Sequence, residues 1–303
     1  MNRVRGWPGF GLWNAWLRID SCFVGTTVSE YSPLPRNVPP QDLAQWLQEE
    51  CAPQRKLTVV KDLPCDSPLL SDADNRYAQA LIEDCTRRGF ICLEGQALAY
   101  VPINFSTIDE YLARLSHSRR RNIRRKLRSR EALRVEVLDT GDARFNDEAW
   151  LAQLYSLYKA VYDQSEIHFD LLTPAFFRSL LQDAASNGRV FCYWHCDELI
   201  GYNLCYVEGD KLLDKYIGLN YPQALEFNLY FVSWFVNLEY AVANGLKFYV
   251  AGWTDPQVKA SLGADFTFTR HLVWIRNPLL RKLGNRFRHH FESDAQWQQE
   301  KPE

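Results

Sequence analysis

The run KLLDKYIGLN holds the most reactive side chains of the chain in one strand-like stretch, where alternation sends Asp214 and Tyr216 to one face and Lys215 to the other. A carboxylate beside a phenol can take up a proton and pass it on. In the preceding run, Tyr202 and Asn203 bring a phenol and an amide, which either orient a bound acceptor or make structural hydrogen bonds. Lys259 sits in TDPQVKASLG, where an ammonium either pairs with a phosphate or carboxylate or stands in solvent. Trp253 follows Gly252, a residue that permits close approach, and is either a pocket wall or a core residue. His168 falls in SEIHFDLLTP, a loop between two predicted helices. CYWHC groups Cys192, His195 and Cys196, but read as a strand it puts both thiols on one face and the imidazole on the other, so no metal site is expected.

The elements that must carry these groups follow from periodicity. ALRVEVLD alternates and predicts a strand; DEAWLAQLYSLYKAVYDQS places Trp150, Leu154, Leu157, Tyr158 and Val161 at helical spacing. Thr173, Pro174 and Gly188 cap, start and stop a second helix. RVFCYWHC, LIGYNLCYVE and KLLDKYIGLN are joined by connections so short that they force an antiparallel meander. A long apolar helix from about Glu226 to Ala243 follows, closed by Asn244-Gly245, then the buried strand LKFYVAGW, a short helix capped at Asp255, and the alternating DFTFTRHLVWI. A helix between strands 211–220 and 246–253 requires a crossover, which makes those strands parallel neighbours. Asn228 stands at the start of that helix, where the positive dipole end would meet an anionic group. Upstream, the chain predicts a strand near Phe23 to Tyr31, a helix PPQDLAQWLQEE, a strand KLTVVKDL, a helix ADNRYAQALIEDCTRRG and a strand pair, FICLEG and ALAYVPI.

With 303 residues, 47% of them hydrophobic, and ten Trp, the chain has ample material for packed cores. The first twenty residues lack the pattern of a signal peptide, no apolar run reaches the roughly 20 residues of a membrane span, and the eight cysteines are scattered. A cytoplasmic protein is expected. Net charge is only −2, yet Arg114 to Arg130 holds nine basic residues and no acid, and Arg276 to Arg288 holds five more. Two basic elements on an acidic body point to anionic partners at defined places. Thr107 and Glu110 form a capping-box signature, and Ile108, Leu112, Leu115, Ile123 and Leu127 trace the apolar stripe of a single long basic helix. RNPLLRKLGNRFRHHF sets Leu279, Leu280, Leu283, Phe287 and Phe291 along one helical face, the pattern of an interfacial amphipathic helix.

The order of elements from Ala132 onward resembles the GNAT acyltransferase fold, and VPINFSTIDEYLARLSHSRRRNIRRKL, YIGLN, FNLYFVSWFVNLEYAVANGLKFYVAG and KASLGA together resemble the Fem-type superfamily of peptidoglycan-bridge aminoacyltransferases and their relatives. The resemblance implies an α/β (α+β) fold, a GNAT-like mixed sheet flanked by helices, preceded by a degenerate GNAT-like N-terminal half. The implied domains are residues 1–105, a basic connector 106–130, an acyltransferase domain 131–276 and a basic tail 277–303. It implies acyl or aminoacyl transfer to an amine or hydroxyl of a cell-envelope or lipid-linked acceptor. Asp214 is then the proton acceptor, Tyr216 a relay and Lys259 the third catalytic group. Tyr202, Asn203, Trp253 and His168 would contact the acceptor, and Ile217, Gly218 and Asn228 the acyl donor. Arg119, Arg120, Arg121, Arg124 and Arg125 would meet an anionic partner: a membrane surface, an acidic carrier protein or tRNA.

Two departures bear on the donor. NYPQALEFN has no glycine where coenzyme A-dependent GNAT enzymes carry a glycine loop, and the short connections leave no room for a helical-hairpin insertion. Acyl-coenzyme A, acyl carrier protein and aminoacyl-tRNA stay open as donors, with no tightly bound cofactor expected. A catalytically inactive interaction module and an RNA-binding protein are the alternatives; DNA is not expected. The resemblance also implies a bacterial envelope context, with peripheral attachment at the inner membrane surface.

Overall fold

The computed structural model describes residues 19–26, 29–165 and 171–288. In chain order these form β1 (Ser21–Val24), α1 (Pro40–Trp46), β2 (Leu57–Cys65), α2 (Asp72–Arg87), β3 (Ile91–Pro102), α3 (Ile108–Ala113), α4 (His117–Leu127), β4 (Arg134–Asp139), α5 (Glu148–Gln164) and α6 (Pro174–Gln182). They continue as β5 (Gly188–His195), β6 (Glu198–Glu208), β7 (Lys211–Leu219), α7 (Gln223–Glu226), α8 (Leu229–Ala243), β8 (Phe248–Gly252), α9 (Pro256–Leu262), β9 (Asp265–Ile275) and α10 (Pro278–Arg286).

Two compact units result, residues 1–97 with 267–303, and residues 98–266. The last strand, expected within the acyltransferase domain, therefore lies almost wholly in the first unit. That unit orders its strands β1-β2-β9-β3, with β1 parallel and β9 antiparallel to β2. Its core gathers Leu47, Leu63, Leu81, Cys85, Phe90 and Leu272. The pair of strands expected at FICLEG and ALAYVPI is one continuous strand, β3. Gly95 makes no turn there: a Cβ on it would meet the Thr269 hydroxyl at 2.1 Å, so its missing side chain serves close approach between strands.

The second unit orders its strands β3-β8-β7-β6-β5-β4. The meander β4 to β7 is antiparallel, β7 and β8 are parallel, and β8 is antiparallel to β3. This is the mixed, helix-flanked sheet that the sequence implies. Residues alternate between its two faces: Phe191, Tyr193, Ile200 and Cys205 pack with α3, α4 and α8, whereas Val190, Cys192, Tyr202 and Leu204 pack with α5 and α6. The Thr173 cap and the Gly245 stop lie where the sequence places them, since Thr173 Oγ1 accepts from Phe176 N and Gly245 closes α8 at a φ of 64°. The stop expected at Gly188 is corrected: α6 ends at Gln182 and Gly188 opens β5, and Asp255 precedes α9 without a side-chain cap bond.

Two further expectations are corrected. The basic helix is two helices, because Arg114 N and Leu115 N bond back only three residues, to Tyr111 and Leu112, and the chain turns before α4 restarts at Ser116. The long apolar helix starts at Leu229, after the separate single turn α7.

Candidate functional site

The ladder between β7 and β8 is short. Lys211, Leu212 and Leu213 pair with Phe248, Tyr249 and Val250, and there the pairing ends, although β7 runs on to Leu219 and β8 to Gly252. Asp214 and Ala251 are the first residues past the split. A cleft of about 90 Å³ opens at this point, lined by Asn203, Asp214 to Ile217, Tyr230, Ser233, Trp234, Tyr249, Ala251, Thr254 and Lys259.

A bulge in β7 determines which side chains reach it. Tyr216 pairs with Leu204 and Asp214 with Cys205, so Lys215 is an extra residue between them. Asp214 therefore shares the face of Cys205 and Asn203, while Tyr216 packs on the opposite face, its ring edge-on to Tyr158 of α5 at 6.1 Å. This corrects the expectation that Asp214 and Tyr216 point the same way: the added residue breaks the two-residue period.

The Asp214 carboxylate is surrounded by donors. Oδ1 faces the amide of Asn203 at 3.3 Å and the thiol of Cys205 at 3.8 Å; Oδ2 accepts from Tyr249 at 2.8 Å and from Asn237 at 3.2 Å. Four donors and no acceptor mark it as the ionised form. Desolvation pushes its carboxyl above the usual range, opposed by the Tyr249 hydrogen bond and then by the charge of Lys259.

Lys259 approaches from α9 and is 4% exposed. Its Nζ donates to the Ala251 carbonyl at 2.6 Å, supplying a partner where the strand ladder has ended. Burial lowers its pKa to about 8, held up by Asp214 and Asp255. The helix that aims it is closed by Gly263 at a φ of 100°, and Tyr111 of α3 donates to the Leu262 carbonyl at 2.6 Å.

Of the residues expected from the sequence, Asp214, Tyr216, Lys259, Asn203 and Ile217 line this cleft, Tyr216 with its ring turned to the other face of the sheet. Tyr202 is buried on the other face, and Gly218 faces Tyr202 and Leu157 there. Trp253 is partly buried and absent from the lining, and Asn228 bonds Glu226 O at the start of α8. His168 lies outside the described residues. On α4, Arg119, Arg121, Arg124 and Arg125 are exposed and Arg120 half-buried, with Arg124 paired to Asp109 at 2.8 Å.

Tyr249, Asn237, Tyr230, Ser233 and Cys205 were not singled out from the sequence. One signal was available: Tyr230, Ser233 and Asn237 recur at helical spacing within a mostly apolar helix, which sets polar groups on one line of α8. The amide oxygens of Asn203 and Asn237 are buried and have no hydrogen-bond partner among the described residues.

The segment that replaces a glycine loop is closed to phosphate. The amides of Ala224, Leu225, Glu226, Phe227 and Asn228 donate to the carbonyls of Asn220, Pro222, Pro222, Gln223 and Leu225. No run of free N–H groups is left there to cradle a pyrophosphate.

The split parallel pair, with ionisable groups at its apex, defines a GNAT-like architecture. The chain belongs to the FemAB-like family, described as peptidoglycan biosynthesis/recognition, which matches residues 50–302. In structure it is similar to the C-terminal domain of a putative lysylphosphatidylglycerol synthetase from Agrobacterium fabrum, with 12% identity, 87% of this chain and 79% of that one covered, and a TM-score of 0.57. It is also similar to L-PGS from Bacillus licheniformis, at 12% identity, 82% and 77% coverage and a TM-score of 0.54, and to FemX, at 13% identity, 84% and 85% coverage and a TM-score of 0.53. At these identities the likeness is one of fold. No curated protein matches in sequence.

Proposed function

We propose that the protein transfers an acyl or aminoacyl group from a carrier, such as aminoacyl-tRNA, to an amine or hydroxyl of a cell-envelope acceptor. The reading is supported by membership of a family described by peptidoglycan biosynthesis or recognition and by the fold shared with FemX and a lysylphosphatidylglycerol synthetase domain. The observation that carries it is the split between β7 and β8, with a buried lysine near neutral pKa at its apex.

In such a transfer the acceptor's nitrogen or oxygen forms a bond to the donor's carbonyl carbon, and the carbonyl electron pair moves to its oxygen. The Lys259 ammonium is the donor in the cleft suited to that oxyanion. The carbon–oxygen bond to the carrier then breaks as the oxyanion's electron pair re-forms the carbonyl, and the Lys259 ammonium gives its proton to the leaving oxygen. With a pKa of about 8, the neutral amine so formed takes up the proton lost by the acceptor and becomes the ammonium again. Asp214, already saturated with donors, is better suited to hold Lys259 in its charged form than to act as a base itself. The occupied amides of the 224–228 segment disfavour coenzyme A as donor.

The test supplies charged tRNA with a labelled amino acid, or labelled acetyl-coenzyme A, together with an envelope lipid and precursor extract. Label passing from tRNA to the extract, and reduced at least roughly a hundredfold by Lys259→Met, is expected. Transfer from acetyl-coenzyme A alone, with micromolar binding by calorimetry, would reverse the donor assignment. No transfer from either donor overturns the reading.

A further inference from the structure

On α10, Leu279 is 78% exposed, Leu280 54% and Leu283 52%. They occupy one side of the helix by their spacing, while Gly284 is turned inward, where a Cβ would meet Ile275 and Ile91 at 3.2 Å. Beneath the stripe runs a groove of about 730 Å³, to which Ile19, Leu57 and Ile275 also contribute. Lys282 and Arg286, four residues apart, border the stripe, and Arg281 is held over the Trp274 ring at 3.7 Å. From Pro278 to Arg288 there is no acidic residue.

We infer that this face of the first unit is a docking surface for a bilayer rich in anionic phospholipid. An apolar stripe with a basic border, on a short surface helix, matches a membrane interface in both respects: the leucines enter the acyl boundary and the cations meet the headgroups. Charge selects this occupant over a second copy of the chain. Two copies packed stripe to stripe would bring Lys282 and Arg286 against like charges, with no carboxylate on this helix to offset them. The surface is distinct from the cleft between β7 and β8, and the inference does not rest on acyl transfer.

Co-sedimentation of the full chain with phosphatidylglycerol/phosphatidylcholine vesicles, and with pure phosphatidylcholine vesicles, at low and high salt, tests it without any enzymatic readout. Binding to the anionic vesicles at low salt is expected, at least tenfold weaker at high salt and on neutral vesicles. Leu279→Ser with Leu283→Ser should weaken binding at least tenfold, and Lys282→Glu with Arg286→Glu should do the same; because these side chains are exposed, both variants should melt as the parent does. Protein that stays in the supernatant at low salt overturns the inference. A dimer lost with the same substitutions would then assign the groove to a second copy. Binding that survives both pairs of substitutions but disappears on reversing Arg119, Arg121 and Arg125 also overturns it, and moves the docking surface to α4.

Discussion

Lys259 is placed at a cost. Its shift from 10.5 to about 8 corresponds to roughly 3 kcal/mol of preference for the neutral form in the folded protein. Below about pH 8 the ammonium is charged in both states, and the folded protein bears the whole cost of burying it. Between about 8 and 10.5 the folded state has released the proton and the unfolded chain has not, so stability gains as pH rises. A residue that destabilises its own fold at neutral pH, in a cleft, beside a carboxylate, is a candidate for function. Lys259→Met should therefore be at least as stable as the parent in urea at pH 7, with an advantage that shrinks toward pH 10, while the transfer activity disappears. A variant clearly less stable at pH 7 would mean that the hydrogen bond to the Ala251 carbonyl outweighs the desolvation. Asp214 raises the lysine's pKa, so Asp214→Asn should move the alkaline limb of the rate profile to lower pH. An unmoved limb would separate the two groups.

At the scale of elements, α9 decides where Lys259 stands, and its end is fixed by Gly263 at a φ of 100° under the Tyr111 hydroxyl. A Cβ there would meet that hydroxyl at 2.7 Å in a backbone conformation that L residues rarely adopt. Gly263→Ala should cost on the order of 1–3 kcal/mol in denaturant unfolding and reduce transfer more than Tyr111→Phe does. Equal stability to the parent would show that α9 can end otherwise. The sequence made the element order legible because period and caps agree over most of the second unit, from the Thr173 cap to the Asn244-Gly245 stop. The site was legible only in part. Periodicity says that Asp214 and its neighbours alternate, but a bulge costs one residue and leaves no compositional mark, so Lys215 reversed the face assigned to Tyr216. Tyr249 and Asn237 lie in segments that read as apolar core, and their polar ends acquire meaning only from the carboxylate that the fold brings to them. The turn at Arg114 to Ser116 was hidden for a related reason: Leu115 and Ile123 keep the apolar spacing on either side of it.

On the scale of the whole molecule, a net charge of −2 conceals two strongly basic elements, α4 in the second unit and α10 in the first. They differ in kind. α10 shows bare leucines among its cations, whereas α4 buries Ile123 and presents arginines: Arg119, Arg121 and Arg125 are exposed, while Lys126 lies 3.3 Å from the Phe231 ring centre and, in the turn after α4, Arg130 pairs with Glu239 at 2.5 Å. The inner cations fasten α4 to α8, whose first turns carry Tyr230, Ser233 and Trp234 of the cleft lining. Arg119, Arg121 and Arg125 take no part in that fastening. If the donor is carried by tRNA, Arg119→Glu, Arg121→Glu and Arg125→Glu together should raise KM severalfold with little change in kcat, and should flatten the dependence of donor binding on salt by about one unit of logarithmic slope for each phosphate no longer neutralised. Vesicle binding through α10 should persist in that variant. Steady-state rates and filter binding across a salt series measure both effects. A KM and a salt slope equal to the parent's would mean that α4 is a solvated face and that the donor is gripped elsewhere.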